Sequence, residues 1–211
     1  MTATKRKNVN PRIERKIVRI SGVREVKQTF LIICEGANTE PDYFNAFRLT
    51  SANVKAVGQG MSTLALVQKA ISIREWERQK GRTYNQNWVV FDKDDFPEND
   101  FNSAILLARQ KGFEVAYSNQ AFEFWFLLHF NLYQGALHRS RYESMLTALL
   151  GFPYTKRAEV SSKMFNALFS KQEQAINHAK TIMKQFDGSN PARYESSTTV
   201  YLLVEELNKF L

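Results

Sequence analysis

Two stretches place carboxylates where an apolar run stops. In "FLIICEGANTEPDYF" (residues 30–44) a five-residue run delivers Glu35, followed at once by Gly36 and then by Glu40; in "WVVFDKDDF" (residues 88–96) a second run delivers Asp92, Asp94 and Asp95. A lone Asp or Glu in a loop is ordinarily just a solvated charge. Acids carried to the end of two separate buried strands are different, because ligands of open α/β sheets collect at the carboxyl ends of the strands. Carboxylates gathered there repel one another and raise one another's pKa unless a cation neutralises them. Hard oxygen donors select Mg²⁺ or Mn²⁺, and such ions are commonly held by one or two carboxylates plus a substrate phosphate. Gly36, lacking a side chain, permits a sharp turn and close approach of a phosphate to the backbone, while Glu40 on the next turn can face the same ion. The chemistry this predicts is metal-assisted phosphoryl chemistry at a divalent ion drawn to these acids.

The elements that must position these acids read as alternating strands and helices. "TFLIIC" and "WVVF" are short apolar runs of the kind found in central parallel strands, and "NVKAV" and "FEVAYS" are two further strands. Between them lie a helix over "DYFNAF", with Thr39 as cap and Pro41 in its first turn, and a helix from Ser62 with Leu64, Val67 and Ile71 at helical spacing, set off by a "GQG" turn. A third helix, "FNSAILLARQK", is capped by Asp100 and stopped by Gly112. This alternation predicts a mostly parallel βαβ sheet covered on both faces. "AFEFWFLLHF" reads as a helix, its aromatic content leaving a strand open. From residue 131 onward the signals are helical, ending in "TVYLLVEELNKFL" with Val200, Leu203, Val204 and Leu207 on one face and "SSTT" (196–199) as its cap. The expected organisation is a basic arm (1–28), an α/β core (29–130) and a helical C-terminal portion packed on it (131–211).

Bulk composition narrows the class. With 211 residues, 44% hydrophobic and 24% charged, the chain suits one soluble folded domain. Its longest apolar run, "FWFLLHF", is far short of a membrane span, and the basic, polar N-terminus has no hydrophobic signal region. A single cysteine, Cys34, rules out an intrachain disulfide framework and a cysteine-rich zinc site, and points to a buried thiol in a reducing cytoplasm. The formal charge is +8, and residues 1–28 carry +7 of it: nine basic side chains, including Lys5, Arg6, Lys7, Arg12, Arg15 and Lys16, against Glu14 and Glu25. Such an arm suits a polyanion, because phosphate contacts release condensed counterions; it also suits a tail that only aids solubility. With Lys93 and Lys156 it forms the expected nucleic-acid-binding set.

The quoted motifs, with "SNQAFEFWFLLHF" and the closing "STTVYLLVEEL", resemble the RloB-like family, associated with prokaryotic abortive infection and phage defence and similar in its core to the Toprim fold. The resemblance runs from about residue 28 to the end. It implies a Toprim-like, mostly parallel sheet flanked by helices, and a metal-dependent catalytic site built from a glutamate after the first strand and an Asp-x-Asp after a later one. Those positions are Glu35, and Asp92 with Asp94. In Toprim nucleases of the overcoming-lysogenization-defect type a second acid follows in the "EG" loop, which Glu40 matches. Family members commonly read "SNP" before the "FE" pair; this chain has Ser118-Asn119-Gln120, a less rigid turn, but keeps Glu123. Physical chemistry alone leaves Glu123 open between a site role and a structural salt bridge, since an acid among aromatics needs a cation, an arginine or exposure. The family pattern assigns it to the site. His129, six positions on, reads as a core or boundary histidine, and Phe124, Trp125 and Phe126 as core.

The expected activity is therefore phosphodiester hydrolysis of DNA or RNA with one or two Mg²⁺ or Mn²⁺ ions. Glu40 or Glu123 would complete the coordination or accept a proton. An alternative is a nucleic-acid-binding or regulatory subunit of a separately encoded ATPase, inactive alone, since the chain has no "GxxxxGK[ST]" loop of its own. A phosphatase of the haloacid dehalogenase type, with Asp92 as nucleophile, is disfavoured because its Ser/Thr and Lys motifs have no counterparts at convincing positions. Primase or topoisomerase chemistry is disfavoured by the chain's size. The oligomeric state is open.

Overall fold

The computed structural model describes residues 28–56 and 62–211. Strands and helices alternate through the first half: β1 (Phe30–Cys34), α1 (Thr39–Asn45), β2 (Ala52–Ala56), α2 (Thr63–Gln79), β3 (Gln86–Asp92), α3 (Glu98–Gln110) and β4 (Glu114–Ser118). Helices alone follow: α4 (Glu123–Leu127), α5 (Tyr142–Leu150), α6 (Ala158–Leu168), α7 (Gln172–Met183) and α8 (Val200–Asn208). The strands form one four-stranded, all-parallel sheet in the order β2-β1-β3-β4. The fold is thus α/β, a parallel sheet flanked by helices with a helical C-terminal part. The basic arm, including Lys5, Arg6, Lys7, Arg12, Arg15 and Lys16, and the "GQG" turn fall outside the described residues.

β1 is apolar at every position because both faces of the sheet are covered. Leu31 and Ile33 face α2 and α3, packing with Leu66, Val67, Phe101 and Ile105. Phe30, Ile32 and Cys34 face the other way, into a cluster that takes in Tyr43 and Phe44 of α1 and reaches Leu146, Met164, Leu203 and Leu207 of the C-terminal helices. Tyr43 stands at its centre, with the rings of Phe44, Phe47, Phe122, Phe126 and Phe165 each within 6 Å. Edge-to-face geometry of this kind adds to the burial of apolar area. The C-terminal helices complete one face of the sheet.

Helix starts differ from the sequence reading. Asp100 is not the cap of α3 but lies in its first turn; Pro97 occupies the cap position and its carbonyl accepts the amides of Asp100 and Phe101. The fixed φ of proline sets the entry, and Asp100 remains near the positive end of the helix. Thr39 is likewise the first helical residue, preceded by Asn38, which makes no side-chain capping bond. Ser62 does cap α2, accepting from the Ala65 amide at 3.3 Å. That helix buries Leu66, Val67 and Ala70 fully and leaves Leu64 and Ile71 at the margin, so its inward stripe is rotated from the predicted one. α8 buries Val200, Leu203, Val204 and Leu207 as expected. "AFEFWFLLHF" supplies the short helix α4, and Phe124, Trp125 and Phe126 are fully buried.

The "SSTT" segment does more than cap. Thr198 forms an antiparallel bridge with Ser118, the Thr199 amide donates to the Tyr117 carbonyl at 2.8 Å, and the Asn119 amide donates to the Ser197 carbonyl at 2.9 Å. The Thr199 hydroxyl takes the Tyr117 amide at 2.9 Å, leaving Thr198 to accept the Val200 amide at the start of α8. The Thr199 and Val200 amides are thereby occupied. His129 is a core residue: fully buried, with Nδ1 2.9 Å from the Trp125 carbonyl and burial pushing its pKa down to about 4.

Candidate active site

β1 leads through α1 to one side of the sheet, and β3 leads through α3 to the other. The loops leaving these adjacent strands diverge, which makes the β1/β3 seam the switch point where a crevice opens. Both sequence motifs end there. The Glu35 amide continues the ladder to the Val90 carbonyl at 2.9 Å, and the Glu35 carboxylate turns across the seam to accept the Asp92 amide at 3.2 Å. Asp92, the last residue of β3, accepts the Phe122 amide on Oδ2 at 3.0 Å; its Oδ1 is buried with no hydrogen-bond partner.

Glu40 reaches the same place from α1. It is 6% exposed, and a Cβ at Gly36 would stand 1.9 Å from its Oε2. Gly36 is therefore required less for its backbone freedom than for the space the Glu40 carboxylate fills. Glu123, 2% exposed at the start of α4, accepts from the Tyr154 hydroxyl and from Lys156 Nζ, each at 3.1 Å. Asp94 sits at φ 47°, a backbone region costly for a residue with a side chain, and its carboxylate pairs with Arg139, which also holds Asp95. Glu35, Glu40, Asp92, Asp94 and Glu123 all line one cleft of about 780 Å³, with Arg139 and Lys156 on its wall. Lys93 does not join them. Its side chain lines a separate cavity of about 410 Å³ beside Gln120 and Arg193.

The acids are poorly solvated and close to one another. Burial pushes Asp92 well above the usual carboxylate range, and Glu40, Glu123, Asp94 and Glu35 add to the shift. Burial raises Glu35 to about 7, opposed by the Asp92 amide and assisted by Asp94. Glu40 also rises to about 7, through burial first, with Glu123 and Glu35 raising it and its own amide and Lys156 lowering it. Partial desolvation lowers the pKa of Lys156, yet Glu123 turns the net shift upward. Such a cluster stores repulsion that an added cation relieves.

Among the described residues, no group of three His, Cys, Asp or Glu side chains is disposed to hold a metal ion as it stands. The contacts give the reason: Asp94 is committed to Arg139, and Glu123 to Tyr154 and Lys156. The donor chemistry nevertheless fits a hard divalent cation, with oxygen ligands from Glu35, Glu40 and Asp92 and an unpartnered, buried Oδ1 on Asp92. Arg139 and Tyr154 had no signal in the sequence. Arg139 lies 45 positions from Asp94 and Tyr154 lies 31 from Glu123, and neither sits in a motif.

The chain is thus a parallel α/β protein with carboxylates gathered at the switch point of its sheet. The chain belongs to the RloB-like protein family, which matches residues 30–207, from β1 into α8. No curated protein and no solved structure matches it. No described helix is long and apolar enough to cross a membrane.

Proposed function

We propose that this RloB-like chain is a metal-dependent nuclease that hydrolyses phosphodiesters of DNA or RNA in the cytoplasm, as part of a prokaryotic defence or abortive-infection system. The observation that carries the reading is the meeting of Glu35, Glu40, Asp92, Asp94 and Glu123 in one cleft at the β1/β3 seam. Their order along the chain, a glutamate after the first strand and an Asp-x-Asp after a later one, resembles the Toprim arrangement. Glu35 and Asp92, joined by Asp94 once it leaves Arg139, would hold Mg²⁺ or Mn²⁺, which would supply charge neutralisation and Lewis acidity at the phosphate. Glu40, whose pKa burial and the neighbouring acids raise, is suited to accept a proton from the attacking water on its carboxylate. Lys156 on the cleft wall orients the phosphate, and the aromatic packing beneath Glu123 keeps bulk water from that side.

The test is incubation of the protein and an Asp92→Ala variant with plasmid and with total tRNA over a range of Mg²⁺ and Mn²⁺. Cleavage by the first and not the second is expected; equal cleavage by both removes Asp92 from the chemistry. A second reading has its own observation. Asp94 and Glu123 are engaged by cationic side chains, a resting state that a separately encoded ATPase partner could release. Cleavage that depends on adding such a partner would favour it.

A further inference from the structure

A smaller chamber, about 310 Å³, adjoins the acidic cleft and shares Glu123, Arg139 and Lys156 with it. Those three side chains form the partition between the two. Beyond the partition the character of the lining changes, with His138 beside Arg139 and Lys156, Tyr142 at the back and Glu143 as a further acid. His138 is held in one orientation. Its Nδ1 accepts the Ser140 amide at 3.2 Å and lies 2.9 Å from the Ser140 hydroxyl. With Nδ1 an acceptor, the neutral ring carries its proton on Nε2, and no described group bonds to that atom.

We propose that this second chamber is a subsite for the nucleotide adjoining the scissile phosphate, with His138 Nε2 and the Arg139 guanidinium as donors to the adjoining phosphate. The inference rests on the nuclease reading above and adds a substrate requirement to it: at least two linked nucleotides in an unpaired strand. A polynucleotide with one phosphate among the acids must place its next one a nucleotide away, and the chamber lies directly across the shared wall of Glu123, Arg139 and Lys156. At about 310 Å³ it lies at the small end of ligand pockets, room for a single nucleotide and not for a base pair. Arg139 suits the task, because its planar fork, now spent on Asp94 and Asp95, matches a phosphate equally well. A divalent cation that took over Asp94 would free the fork, so cation and strand should bind with positive coupling.

The experiment is equilibrium competition binding with Ca²⁺ in place of Mg²⁺, using inorganic phosphate, a mononucleotide, a dinucleotide and a trinucleotide against wild type, His138→Ala and Arg139→Lys. Wild-type affinity is expected to rise from mononucleotide to trinucleotide. His138→Ala should remove about tenfold of that gain, leave the mononucleotide unchanged, and retain the wild-type thermal shift with Ca²⁺, since the side chain is exposed. Arg139→Lys, which keeps the charge but not the fork, should fall between. Retention of the full length-dependent gain by His138→Ala overturns the subsite, as does an equal loss for mononucleotide and trinucleotide. Wild type that binds no probe of any length overturns the nuclease reading and the subsite with it.

Discussion

The carboxylate of Glu35 accepts the backbone amide of Asp92 at 3.2 Å, so two acids from opposite ends of a βαβαβ path are tied directly across one seam of the sheet. The amide bond fixes where Asp92 leaves β3, and the Phe122 amide on Oδ2 fixes how its carboxylate points. Only Oδ1 is left without a partner.

Asp92→Asn keeps an oxygen acceptor for the Phe122 amide while removing the charge. The variant is expected to fold and to lose about 10²–10³-fold in cleavage of plasmid or tRNA, the scale of losing one preorganised electrostatic group. Cleavage assays run beside a melting curve check it. Near wild-type cleavage by a well-folded variant would take Asp92 out of the mechanism.

Gly36→Ala tests the space that Glu40 occupies. The added Cβ would overlap Oε2, and because that atom ends a flexible side chain the carboxylate should swing away and leave the backbone in place. Folding stability should change by no more than about 1 kcal/mol, while metal-induced thermal stabilisation and cleavage both fall. A variant with wild-type metal response would mean that Glu40 works from another position.

The metal-free protein should become less stable as pH rises from about 4.5 to above 7. Glu35 and Glu40 are raised in the folded state from 4.5 to about 7, so their contribution is full below the unfolded value and is lost as pH climbs through the folded one. For Glu40 alone this amounts to about 3 kcal/mol, or roughly 5–10 °C in Tm for a chain of this size. Glu40→Gln should flatten the fall, and Mg²⁺ added at about pH 8 should reverse it. Melting temperatures that do not change across this range would contradict the clustered charges.

Glu77 produces the opposite slope in a lower window. Its carboxylate, buried in α2, is pulled from 4.5 to about 2, first by the Arg82 hydrogen bond and further by Tyr84 and Lys55. Its stabilisation is present above 4.5 and is lost as pH falls toward 2. Glu77→Gln should therefore be destabilised at neutral pH and show a shallower decline in acid, as followed by thermal melts between about pH 2 and 5.

Much of the scaffold was legible because both signals behind it are local. Apolar runs ending in acids marked β1 and β3, and helical spacing marked the buried face of α8. The five acids could be assembled from the rule that strand ends converge, aided by the family resemblance. Two of their partners could not. Arg139 and Tyr154 reach the cleft through the packing of elements far apart in the chain, and nothing in their neighbours marks them. Lys93 was expected among the polyanion-binding residues, yet the turn that sends Asp92 and Asp94 into the cleft sends it to the neighbouring cavity. Helix starts moved by one residue at Thr39 and by three at α3, where Pro97 took the cap position from Asp100.

The bridge between Thr198 and Ser118 covers the C-terminal end of β4's outer side with the 196–199 segment. A bare strand at that margin would offer unpaired amides and carbonyls to any passing chain. Removing the residues from 196 onward would therefore do more than strip α8 from its face of the sheet: it would also bare this strand end to other copies, and self-association should appear before any loss of the α2–α3 layer.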